Sequence, residues 1–61
     1  MSITLKDQIT CIEREITMRQ RVYPRWVEAG RMKQAKADAE IRTMQAVLST
    51  LKSLEEKDRL L

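Results

Sequence analysis

Residues 19–36 read RQRVYPRWVEAGRMKQAK, and how this stretch is read decides the fold. It holds the only proline (Pro24), glycine (Gly30), tryptophan (Trp26) and tyrosine (Tyr23) of a 61-residue chain. On both sides of it the sequence is built from good helix formers. Upstream, Leu5, Ile9, Ile12, Ile16, Arg19 and Tyr23 recur at steps of four and three, a heptad-like seam on one helix face. Cys11, Met18 and Val22 flank the seam and widen it. Downstream, Ala37, Ile41, Met44, Leu48 and Leu51 repeat the spacing, with Val47 and Leu54 beside them. Two helical patterns separated by one glycine predict an all-α fold.

Gly30 sits where a helix needs a left-handed residue to stop, so it is expected just past the helix cap. Helix 1 is then expected over about residues 3–29, the turn at 30–31 and helix 2 over about 32–57, in a single domain, 1–61. Each helix is about 40 Å long at 1.5 Å per residue, so a tight connection makes an antiparallel hairpin. Ser2 or Thr4 can cap the first helix, with Asp7 placed in its first turn. Pro24 removes a hydrogen bond to the Gln20 carbonyl, but the apolar spacing continues through Tyr23, Trp26 and Val27. A helix 1 that kinks at Pro24 and continues is therefore expected. The tail EEKDRLL is expected to fray, with Leu60 and Leu61 free to dock on a neighbour.

Stripes this wide exceed what two helices can cover on each other. A chain this short also buries a small share of its surface. With Cys11 as its only cysteine and no histidine, neither an internal disulfide nor a zinc site can help. Association is the remaining source of burial. The expected assembly is a homodimeric four-helix bundle, or a higher oligomer. Cys11 is expected to be a seam or core thiol, which suits a reducing cytosol. No apolar run spans a membrane, and MSITLKDQIT lacks the layout of a signal peptide. A cytoplasmic location is expected.

Charge is unevenly spread. Residues 19–36 carry Arg19, Arg21, Arg25, Arg31, Lys33 and Lys36 against Glu28 alone, a net charge of +5. The rest of the chain carries six bases and eight acids, a net charge of −2. The hairpin bend is thus the basic end. Tyr23 and Trp26 lie within it, either as a plug sealing the bundle or as rings offered to a ligand beside the arginines. The expected partner-binding residues are Arg21, Tyr23, Arg25, Trp26, Arg31 and Lys33, types that dominate binding hot spots.

Catalysis is not expected. Without histidine there is no Ser/His/Asp set, and no glycine loop cradles a phosphate. Glu13 and Glu15, like Asp38 and Glu40, are two residues apart and face different ways on a helix. No catalytic residue, metal or cofactor is therefore expected.

The run RVYPRWVEAGRMKQAKADAEIRTMQAVLSTL resembles a family of very small phage and prophage helical-hairpin proteins. The shared parts are the RVYPRWV block at Arg21 to Val27, Gly30 with Met32, the alanine- and acid-rich Ala37 to Glu40, and Met44 to Leu51. The resemblance covers about half the chain and implies a setting, the cytoplasm of an infected or lysogenic bacterium, and no activity. The leading expectation is a non-enzymatic interaction protein that binds and modulates an acidic host or phage macromolecule through its basic, aromatic bend. Three alternatives stand beside it. One is binding to nucleic-acid phosphates, without the helix-turn-helix spacing that base reading uses. Another is sequestration of a small anionic nucleotide signal against host defence. The last is a structural or assembly part.

Overall fold

The computed structural model describes residues 2–60, which form two α-helices, α1 (Leu5–Glu28) and α2 (Gln34–Leu60). They pack along each other as a hairpin, in a rod 48 × 23 × 13 Å. No helix among the described residues is long and apolar enough to cross a membrane.

Each boundary has a local cause. Thr4, in extended backbone, caps α1: the Asp7 amide donates to the Thr4 hydroxyl, and the Thr4 amide donates to the Asp7 carboxylate, both at 3.0 Å. This reciprocal capping box satisfies two amides that the helix leaves without partners. It also holds the Asp7 carboxyl below its ordinary pKa of 3.8, first through the backbone hydrogen bond from Thr4 and then through its hydroxyl. Helix 1 thus begins at Leu5, later than residue 3, because Thr4 is the cap and not Ser2.

At the other end Gly30 takes φ +75°. Its amide donates to the Val27 carbonyl at 3.0 Å, and the Arg31 amide donates to Trp26 at 2.8 Å. These two bonds are the Schellman pattern, which closes a helix through a left-handed residue. The connection runs on to Lys33, wider than 30–31, because it is the Lys33 carbonyl that accepts the first bonds of α2, from the Lys36 and Ala37 amides (both 3.1 Å). The tail does not fray: α2 is helical to Leu60. Lys57 and Arg59 stand in its last turn, where cations complement the helix dipole, and Arg59 pairs with Glu56 at 3.3 Å. Leu60 is exposed, and Leu61 lies outside the described residues.

α1 runs unbroken through Pro24. The seam is the core. Ile9, Ile16 and Tyr23, spaced by seven, are buried, and Leu5, Ile12 and Arg19 between them are half-buried. On α2, Ala37 is buried at 2 % exposure, and Ile41, Met44, Leu48, Leu51 and Glu55 are half-buried. Two cross-helix contacts set the antiparallel register: the Tyr23 hydroxyl donates to Glu40 at 3.2 Å, and Lys52 pairs with Glu13 at 3.6 Å. This alignment puts Ile16 level with Leu48 and Ile9 level with Glu55.

The expectation for the cysteine is also corrected. Cys11 is exposed, not a core or seam thiol. It lies two residues past the buried Ile9, about 200° further round a helix with 3.6 residues per turn. In a two-helix hairpin that position turns out of the seam, to the open rim of a groove shared with Val47 and Leu51 of α2.

Candidate binding surface

The bend divides its expected binding residues between three surroundings. Tyr23 turns inward: its ring is buried at 6 % exposure, and its hydroxyl reaches Glu40 on α2. Glu40 in turn lies 3.8 Å from Lys36, one turn earlier. This chain of three side chains ties the end of α1 to the beginning of α2. Trp26 lies beside Tyr23, with ring centroids 5.7 Å apart and planes tilted by 34°, yet it remains 43 % exposed. Tyr23 is therefore the plug of the bend, and Trp26 is its open neighbour.

Arg21 and Arg25 go elsewhere. Each is two residues from the inward-facing Tyr23, about 200° round the helix in opposite directions, so both stand on the outer face of α1. Arg14, seven residues before Arg21, extends the same face and is also exposed. Arg31 lies in the connection and Lys33 at the opening of α2, both exposed. Among the described residues none of Arg14, Arg21, Arg25, Arg31 or Lys33 forms an ion pair. A continuous run in sequence thus becomes two basic surfaces: an arginine face along α1, and a lysine- and arginine-bearing connection.

The beginning of α2 has an electrostatic peculiarity. Its first turn contains no acidic residue, and among the described residues no side-chain oxygen accepts from its first amides. Helix N-termini carry a partial positive charge that normally attracts acids. Here Arg31, Lys33 and Lys36 add to that charge. The nearest acids are Asp38, which accepts from the Gln34 side-chain amide at 2.9 Å, and Glu40, beside Lys36, both in the second turn.

The hairpin also has two unlike sides. Counting round α1 from the buried Ile16, one side carries Ile12, Cys11, Met18, Val22 and Trp26. The other carries Lys6, Thr10, Glu13, Thr17 and Gln20. The polar side is strapped by the Glu13–Lys52 pair. On the apolar side, Cys11 and Ile12 line a groove with Val47 and Leu51 of α2, closed at its end by Ile3 and Gln8. Met18, Val47 and Leu54 on this side are each more than 40 % exposed. Midway along it, Arg19 pairs with Glu15 at 3.5 Å.

Sequence reasoning passed over Glu40, which holds both Tyr23 and Lys36. The available signal was its position one residue before the seam residue Ile41, at the rim of the helix contact. Among the described residues, no group of three or more cysteine or acidic side chains is placed to hold a metal ion. No family model, no curated protein and no solved structure matches the chain.

Proposed function

We propose that the chain is a non-enzymatic interaction protein. Its hairpins self-associate through their apolar sides into a four-helix bundle or a larger oligomer, with α1 kinked at Pro24. The basic end is left to an acidic host or phage macromolecule in a bacterial cytoplasm. The observation that carries this reading is the placement of exposed side chains on α1: Trp26 stands on the apolar side, Arg21 and Arg25 on the outer face, and Met18 at the border beside Arg14 and Arg21. Association through Trp26 and the apolar groove can then leave Arg21 and Arg25 open. Arginines spread along a helix suit an extended partner, because each guanidinium binds a carboxylate or phosphate through a fixed fork.

A second reading, sequestration of a small anionic nucleotide signal, is favoured by the opening of α2. Acid-free first-turn amides flanked by Arg31, Lys33 and Lys36 suit a phosphate group. The two readings place the ligand on different cations. Affinity capture from infected-cell lysate, with and without nuclease, compares wild type with Arg21→Glu/Arg25→Glu. Loss of a captured protein in that variant supports the first reading, and a capture that nuclease abolishes redirects it to nucleic acid. Identical captures overturn the use of the arginine face. For the second reading, a thermal shift with a nucleotide that Lys33→Glu/Lys36→Glu abolishes is expected. No shift across a nucleotide panel overturns it.

A further inference from the structure

We infer that the apolar side of the hairpin is covered by a second copy of this chain packed head to tail, with Trp26 seated in the partner's groove at the terminal end. This deepens the self-association proposed above and rests on it. Three observations select this occupant and this direction.

The first is a match between a projection and a recess on the same side of the molecule. Trp26 is the one large ring left half-open, and it stands at the bend end. The largely apolar groove of Ile3, Cys11, Ile12, Val47 and Leu51, with Asp7 and Gln8 on its wall, stands at the terminal end. Trp26 and Ile12 are 14 residues apart on one helix, about 21 Å at 1.5 Å per residue. A chain cannot fill its own groove over that distance. A two-fold axis crossing α1 near residue 19 places each Trp26 over the other copy's groove, and both contacts form at once.

The second is charge. Split at that axis, the bend half (residues 19–45) holds seven bases and three acids, +4, and the terminal half five bases and six acids, −1. Packing bend on bend sets two basic ends together, whereas head-to-tail packing sets each over a mildly acidic one. With the axis near residue 19, the connection bearing Arg31 falls over the partner's Asp7, and Lys36 over the partner's Glu55 and Asp58. Complementary charge of this kind fixes direction and register more than it adds affinity.

The third is the Glu15–Arg19 pair, which interrupts the apolar side at its middle. Buried under a parallel copy, this pair gains no new partner. Under a head-to-tail copy the two Arg19 side chains meet at the axis, with the two Glu15 carboxylates about 6 Å to either side along the helices. Two guanidiniums are then bracketed by two carboxylates at the centre of the interface. Such polar groups inside an apolar contact set register.

Cross-linking reads the direction. With the axis near residue 19, α1 lies against the partner's α1, and positions near the axis approach their own mates. Cys11 and the partner's Cys11 are then separated by about 24 Å along the helices. A bis-maleimide spanning about 10 Å, the spacing of packed helices, is expected to leave wild type uncross-linked. It is expected to join the Cys11→Ser/Met18→Cys variant into a covalent dimer. Trp26→Ala is expected to weaken dimerisation by about 30-fold or more, the range of a buried aromatic anchor, with helicity unchanged by circular dichroism. Equal cross-linking at both positions, or none at position 18 in a chain of dimeric mass, overturns the head-to-tail arrangement and leaves self-association standing. A monomeric mass for wild type by sedimentation overturns both.

Discussion

The contact between Tyr23 and Glu40 gives the sharpest energetic test of the hairpin. Tyr23→Phe removes one oxygen and keeps the buried ring, so packing is preserved and the hydrogen bond at 3.2 Å is lost. A bond to a carboxylate contributes about 1.5–3 kcal/mol when buried. The Glu40 side chain is 44 % exposed and rehydrates when the phenol leaves. The expected loss therefore falls near the value for an ordinary hydrogen bond, about 1 kcal/mol. For a domain of this size that is a fall in Tm of about 4–8 °C. Glu40→Ala loses the same bond and also the Lys36 pair, an i,i+4 contact of about 0.3–0.5 kcal/mol. Its cost is then about 1.5 kcal/mol, and the double variant should cost little more than Glu40→Ala alone. Urea unfolding at one fixed protein concentration measures all four members of this cycle, because an associating chain gains stability with concentration. A coupling near 1 kcal/mol is expected from residues in direct contact. Additive losses, or a Tyr23→Phe chain as stable as wild type, would show that the phenol does not bridge the helices.

Two further substitutions address the ends of α1. Gly30→Ala meets no atom within 4 Å of the added carbon, so its cost is purely the left-handed backbone at φ +75°, about 1–2 kcal/mol by chemical denaturation; a neutral result would refute the Schellman assignment. Asp7 has a carboxyl held below its ordinary value of 3.8, so its contribution is present above that pH and is lost as pH falls through the lower, folded-state value. Thr4→Ala removes the hydroxyl half of the cap, costs about 1 kcal/mol near neutrality, and should weaken the acid-induced loss seen below pH 4. An unchanged acid profile would place the linkage elsewhere.

Much of the hairpin is legible before any coordinates. Steps of four and three pick out Ile9, Ile16 and Tyr23, and these are the residues that bury on α1. Gly30 marks the stop because no other residue type adopts its backbone so cheaply. Ser2 and Thr4 both read as possible caps, and the spacing of three between Thr4 and Asp7 is the one that the structure uses. What escapes is whatever depends on the other helix. Glu40 reads as one of two surface acids, with Asp38, until α2 lies against α1 with Tyr23 opposite. Cys11 reads as part of a broad stripe, and only the width of one facing helix decides that it stays outside. The basic stretch reads as one cluster because sequence is linear. Successive residues turn by about 100° on a helix, which sends Arg21 and Arg25 outward and Tyr23 inward.

The two helices meeting at the bend are finished very differently, and that difference sets the order in which the molecule comes apart. α1 is sealed at both ends, by the Thr4–Asp7 box and by the paired bonds around Gly30. α2 opens at Lys33 with, among the described residues, no side chain satisfying its first amides, and with cations crowding its positive pole. Local opening begins where the fewest bonds must break. In native-state hydrogen exchange the first amides of α2 should exchange ahead of all other helical positions near the bend, while those closing α1 stay protected. The hinge of this hairpin then lies after the glycine, in the few residues that carry its lysines, and an anion settling there would slow that exchange before any other.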